Sequence, residues 1–258
     1  MTGAYLFLSV FILGLIIGSF LNVCIYRMPR GLSIVRPSSS CPSCKTPVRI
    51  YDNIPVISYI LLRGRCRGCS SAIPIRYPLV ELLNAVLYVS VIWRFGIGWY
   101  APAYFAFCSA MVVITFVDLE FQIIPDAITL SGIPIGLVAG SLILIDPFVR
   151  ASMLGFKNSF IGFISGGGLF YLIAVLSRGG MGGGDIKMMT MTGAFLGWKA
   201  VLLTTFSASL IGSIVGIILI VFKGKGRKTK IPFGPFLAIG ALITLFFGQE
   251  IFRFYLMR

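Results

Sequence analysis

Runs of about 20 apolar residues, parted by short polar or basic turns, recur along all 258 residues. A run of that length matches the hydrocarbon thickness of a bilayer, and only helices or closed barrels satisfy their backbone groups there. The runs are continuous rather than alternating, which selects helices. Composition agrees: 57% of the residues are hydrophobic and 12% charged, against about 25% charged in a soluble domain. The expected fold is therefore an all-α polytopic membrane protein with about eight transmembrane helices.

The expected spans are roughly 4–26, 78–95, 101–117, 127–145, 159–176, 186–198, 201–222 and 232–254. The sixth is only thirteen residues and too short to cross straight. Gly166, Gly167 and Gly168 inside the fifth suit close helix packing. Three parts are expected: a first transmembrane helix (1–26), a basic four-cysteine loop (27–77) and a transmembrane core (78–258).

The net charge of +14 is uneven. Nine of 22 basic residues lie between Arg27 and Arg76, and five lie between Lys223 and Lys230. Basic clusters beside apolar spans orient a protein with those loops inside and attract anionic lipid headgroups. Contact with the bilayer is expected and nucleic acid is not. No basic segment precedes the first run, so it reads as a retained span, not a cleaved signal. Both termini then lie outside.

Histidine is absent. Ser-His-Asp, Cys-His and HExxH zinc mechanisms are thereby excluded, leaving carboxylate pairs or a Ser-Lys dyad for hydrolysis, and no well-placed Ser accompanies Lys187. There are eight acids. Asp52 sits among basic residues and answers their charge. Asp146 and Glu250 fall at outside ends and are expected to be solvated, and Glu120 lies in a wet turn. Asp126, after Pro125, suits a helix N-cap. Glu81 lies in the first turn of the second span, where the helix dipole favours an acid; a substrate-binding role is the other reading.

Asp118 and Asp185 stand apart. Asp118 ends the apolar run 110–117, where an acid near membrane depth is costly and faces a protein interior or water. Asp185 follows Gly182, Gly183 and Gly184, which delay the helix and remove bulk where a substrate backbone can approach. Lys187 is read as snorkelling to the headgroups. The topology puts both aspartates on the inner side. Two such carboxylates share a proton, titrate as a unit and activate one water without any other nucleophile.

Cys41-Pro-Ser-Cys44 and Cys66-Arg-Gly-Cys69 are two CxxC pairs with 21 residues between them. That is zinc-ribbon spacing, and a reducing cytoplasm disfavours disulfides. A closed four-thiolate site has no open position, so the expected zinc is structural. Cys24 and Cys108 lie in spans and read as buried apolar residues.

The ordered motifs resemble those of the type IV prepilin peptidases, GxGD aspartic proteases of the membrane. They are Gly18-Ser-Phe-Leu-Asn-Val23 with Arg27 and Pro29; Asp52 to Tyr59 between the CxxC pairs; Arg76-Tyr-Pro-Leu-Val-Glu-Leu82; Asp118-Leu-Glu with Ile124-Pro-Asp126; Gly182-Gly-Gly-Asp-Ile-Lys187; and Ile231-Pro-Phe-Gly-Pro-Phe236. The resemblance implies an enzyme of the bacterial inner membrane that cleaves the basic leader of prepilins or pseudopilins after a glycine, at the cytoplasmic face. Asp118 and Asp185 match the catalytic positions. It also implies N-methylation of the new terminus by S-adenosylmethionine, for which Glu81 is the one weak cofactor-binding candidate. The alternatives are another GxGD protease of the presenilin or signal-peptide-peptidase kind, or a non-enzymatic carrier or scaffold.

Overall fold

The structure is a computed structural model and describes residues 2–178, 180–223 and 232–256. The basic run 224–230 and Ile231 of the last motif lie outside the described residues. Nine helices are described: α1 (Thr2–Arg27), a short α2 (Ile57–Leu61), α3 (Arg76–Phe95), α4 (Ala101–Phe121), α5 (Asp126–Leu142), α6 (Gly155–Leu176), α7 (Gly183–Leu196), α8 (Trp198–Lys223) and α9 (Gly234–Leu256). Among the described residues six helices are long and apolar enough to cross a membrane; α5 and α7 fall short at 17 and 14 residues. The protein is thus an all-α, multi-pass membrane protein. The chain divides into two compact units, Met1–Gly96 and Ile97–Arg258.

In the first unit α1 and α3 pack with almost no side chain between them. A Cβ at Gly14 would lie 2.5 Å from the Ala85 Cα, and one at Gly18 would lie 2.6 Å from the Glu81 Cα. In a bilayer, where apolar burial does not drive association, such backbone approach and interhelical hydrogen bonds hold helices together. Two amides supply the bonds. Asn84 Nδ2 donates to the Gly14 carbonyl at 2.8 Å, and Asn22 Nδ2 to the Tyr77 carbonyl at 3.0 Å.

The second unit is built around α7. Every side chain from Met188 to Leu196 is buried, against α5, α6, α8 and α9. Glycines again set the spacing. A Cβ at Gly162 of α6 would lie 2.1 Å from the Gly193 carbonyl oxygen, and one at Gly166 would lie 2.2 Å from that of Met189. Gly167 abuts Thr190, whereas Gly168 faces open space, so two of the three glycines expected to pack do so. On α5, Gly132 and Gly136 receive Met191 and Phe195. Elsewhere the Tyr104 hydroxyl donates to the Ile145 carbonyl at 2.6 Å, and Thr204 and Thr244 join α8 to α9 at 3.1 Å.

Several local expectations are corrected. Asp118 is not in a turn: α4 continues through Phe121, because nothing breaks it until Gln122 adopts a left-handed conformation. The glycines before Asp185 do not delay the helix, which begins at Gly183. Asp126 caps nothing with its side chain. Asp146 is buried, with Oδ1 accepting the Phe148 N–H at 2.8 Å. Glu250 pairs with Arg150 at 2.7 Å. Glu81 lies beyond the first turn of α3, which starts five residues earlier at Arg76, so the dipole does not explain it.

Candidate active site

Three elements of the second unit assemble around Asp118. The last turn of α4 carries it, and it is only 6% exposed. The start of α9 holds it: the Gly234 backbone N–H donates to Asp118 Oδ2 at 3.0 Å. Gly234 is the first residue of α9, so this N–H is one of the helix's unsatisfied donors and lies at its positive end. A Cβ there would lie 2.6 Å from Oδ2. Glycine is therefore required for the contact. With Oδ2 engaged, Oδ1 is the oxygen left to meet water or a proton.

Asp185 is the third residue of α7 and half-buried. Its N–H donates to the Gly182 carbonyl at 3.1 Å, a Cβ at Gly182 would lie 3.5 Å from its Oδ2, and its charge interacts with that of Asp118. The turn after α4 closes the site, with Ile124 as the shared wall. A Cβ at Gly184 would lie 2.9 Å from Ile124 Cβ, and one at Gly234 would lie 3.3 Å from Ile124 Cδ1. Gly182 and Gly183 are exposed, and a Cβ at Gly183 would meet nothing. The three glycines thus differ: Gly184 makes room for Ile124, while Gly182 and Gly183 leave an open edge beside Asp185.

Lys187 does not snorkel freely. Its Nζ lies 2.7 and 2.8 Å from the two carboxylate oxygens of Asp126, tying the start of α7 to that of α5. Sequence reading assigned no role to Gly234, Ile124 or this ion pair. The motif around Gly234 was visible, but which side chain its N–H would meet was not.

In the first unit the four loop cysteines converge. Their sulfurs all lie within 4.8 Å of one another. Cys41 and Cys69 are 3.8 Å apart, and Cys44 and Cys66 are 4.0 Å apart. A tetrahedron of metal–sulfur bonds of about 2.3 Å has edges of about 3.8 Å, so the set fits one metal ion. Cys41 and Cys69 are biased toward the thiolate, the ligating form, while Cys66 is shifted the other way. The Cys44 N–H and neighbouring donors pull the Cys41 thiol down to about 6, and the Ser71 hydroxyl lowers that of Cys69. Nearby, the Arg67 guanidinium holds Asp52 below the usual carboxylate range, through a 2.7 Å ion pair. Asp52 therefore answers positive charge, as expected.

Glu81, also in this unit, is buried and accepts the Val56 N–H at 2.8 Å.

Comparison with known proteins adds the decisive fact. Residues 105–217 match the model of the type IV leader peptidase family, and residues 12–95 match that of the bacterial peptidase A24 N-terminal domain. The chain belongs to the type IV leader peptidase family. It is 36% identical to a prepilin leader peptidase/N-methyltransferase of Pseudomonas aeruginosa, over 96% of this chain and 93% of the relative. Proteins of the same description from Aeromonas hydrophila and Neisseria gonorrhoeae are 36% and 33% identical. Those matches cover 97% and 94% of this chain and 93% and 91% of the relatives. No solved structure matched. The family's peptidase model contains both Asp118 and Asp185, and its N-terminal model contains all four loop cysteines and Glu81.

Proposed function

We propose that this membrane enzyme removes the leader of prepilins or pseudopilins with Asp118 and Asp185 as its catalytic pair, and then N-methylates the new terminus. The observation that carries the assignment is the buried Asp118, pinned by the Gly234 N–H and within electrostatic range of Asp185. Two carboxylates so placed share a proton. The ionised one takes a proton from water as it attacks the scissile carbonyl. The protonated one donates to the developing oxyanion. Collapse breaks the C–N bond, and the amine leaves with a proton from the pair. Gly182 and Gly183 offer an open edge along which an extended substrate backbone lies.

Cleavage follows a glycine at the cytoplasmic face of the bacterial inner membrane, with both termini of the chain outside. This orientation places the basic segments 27–76 and 223–230 inside. The four thiolates hold a structural zinc ion, and S-adenosylmethionine supplies the methyl group.

In the test, purified enzyme is incubated with a prepilin, with and without S-adenosylmethionine, and products are weighed by mass spectrometry. Wild type should yield a leader ending in glycine and, with the donor, a product one methyl heavier. Asp118→Asn and Asp185→Asn should each accumulate normally and cleave at least about 10³-fold more slowly. Substantial residual cleavage by either variant would remove that residue from the pair.

A further inference from the structure

The loop between α1 and α3 carries an apolar face that stays uncovered among the described residues. Ile50, Tyr51, Ile54, Ile57, Ile60 and Leu61, all between positions 50 and 61, are exposed. The segment is nevertheless folded on itself. The turn Ile50–Asn53 packs on α2, and the Ser58 hydroxyl donates to the Tyr51 carbonyl at 2.8 Å. Ser58 is buried while its aliphatic neighbours turn outward. Clustered apolar side chains on the outside of a folded segment mark an interaction surface.

Glu81 sets the depth of that surface. The Val56 N–H, immediately before α2, donates to Glu81 Oε2 at 2.8 Å. Glu81 lies five residues past Arg76, the start of α3, a helix apolar enough to cross the membrane. Five residues are about 7.5 Å of helix. The bond therefore holds the start of α2 beside the first turns of a span, at headgroup level, and not out in the aqueous phase.

The charges next to this face have one sign. An open cavity of about 560 Å³ at the end of α2 is lined by Arg63, Arg65 and Arg67 with Leu61 and Leu62, and by no acid. Asp52, the single acid between Arg27 and Arg76, is engaged by Arg67 at 2.7 Å. Arg63 and Arg65 are exposed and make no ion pair among the described residues. Aliphatic side chains flanked by free guanidinium groups suit the boundary between acyl chains and anionic headgroups, and a guanidinium takes a phosphate bidentately.

We infer that this face docks on an anionic bilayer leaflet, inserting Ile57, Ile60 and Leu61 at the acyl-chain boundary and holding headgroup phosphates with Arg63 and Arg65. Cys66 lies between Arg65 and Arg67, so the cysteine cluster is carried at the membrane surface with them. Charge selects this occupant. A basic leader and a second copy of this basic loop are both repelled, and a soluble acidic partner gives no reason for α2 to sit at headgroup level.

The test uses the full-length protein in nanodiscs of phosphatidylcholine alone or mixed with phosphatidylglycerol, read by hydrogen–deuterium exchange. Phosphatidylglycerol should slow exchange at the amides of Ile60, Leu62 and Arg63 at least about tenfold, high salt should reverse part of the effect, and exchange in α3 should not change. Arg63→Gln combined with Arg65→Gln should erase the lipid dependence. Ile60→Trp keeps the face apolar, and its added fluorescence should be quenched by lipids brominated near the headgroup end of the chain, not by aqueous iodide. Equal exchange in the two lipids, or quenching by iodide instead, would overturn the inference. So would a lipid dependence that survives the double arginine variant, or slowing that extends equally into α3, which is a general effect of the bilayer. Equal protection by soluble polyglutamate in neutral nanodiscs would make the face a site for an acidic protein and would also sink it.

Discussion

Replacing Gly234 with alanine tests the candidate site most directly, because it alters one atom at one contact. Gly234 is not among the residues with positive φ, so alanine can adopt its backbone and the substitution acts through sterics alone. The new Cβ would lie 2.6 Å from Asp118 Oδ2 and 3.1 Å from its Cγ, and must separate by roughly 1 Å to reach ordinary contact. That separation breaks the 3.0 Å hydrogen bond from the Gly234 N–H. Such a bond to a charged group contributes about 1.5–3 kcal/mol. A displacement of about 1 Å in a catalytic group costs about 10²-fold, or roughly 2.7 kcal/mol. The two routes agree, and kcat/KM for leader release should fall about 100-fold.

The assay is initial-rate mass spectrometry on a purified prepilin. Methylation of a pre-cleaved substrate by the same variant should stay within about twofold of wild type. Gly168→Ala is the matched control, since its Cβ would meet nothing within 4 Å, and it should cleave normally. A Gly234→Ala enzyme within threefold of wild type would show that the contact does not position Asp118 and would refute the steric argument.

Three further outcomes are expected. Lys187→Met removes an ion pair whose side chains are 37% and 57% exposed. Such pairs contribute about 0–1 kcal/mol, so cleavage should change less than about fivefold; a collapse of activity would instead place Lys187 in the chemistry. Gly193→Ala puts a Cβ 2.0 Å from the Gly162 carbonyl oxygen. Backbone cannot yield as a side chain does, so overpacking of about 1–3 kcal/mol or more should lower both accumulation and the unfolding midpoint in micelles; a midpoint equal to wild type would contradict the α6–α7 contact. Cys41→Ser should take zinc from about one ion per chain to near none and speed proteolytic nicking within 27–77, while leader cleavage persists. Metal analysis finding no zinc in wild type would remove the ribbon.

What was legible in the sequence follows from the range of each interaction. Helices at membrane depth are dictated by continuous apolar runs, so the span pattern could be read locally. The cysteine cluster was legible because its members come in CxxC pairs. Asp118 and Asp185 were conspicuous because acids are few and their surroundings apolar. Helix ends were less clear: Leu119, Glu120 and Phe121 extend α4 past the point where polarity suggested a turn. Least legible were contacts between distant residues. Lys187 and Asp126 are 61 positions apart and Asp118 and Gly234 are 116 apart. Nothing local in either partner specifies the other. The Glu81–Val56 bond was hidden for the same reason, and Asp146 because an exposed end of a span was assumed where the chain folds back on itself.

The length of α7 has a consequence for the enzyme's surroundings. Fourteen residues extend about 21 Å, against a hydrocarbon core of about 30 Å. Only Gly197 separates α7 from α8, so no linker at that end can absorb the shortfall. Among the described helices of the second unit α7, which carries Asp185, is the shortest. Thin bilayers match α7 more closely than thick ones do, so bilayer thickness loads the helix that carries Asp185. The lipid composition around the enzyme thus belongs to its reaction conditions as much as pH or salt.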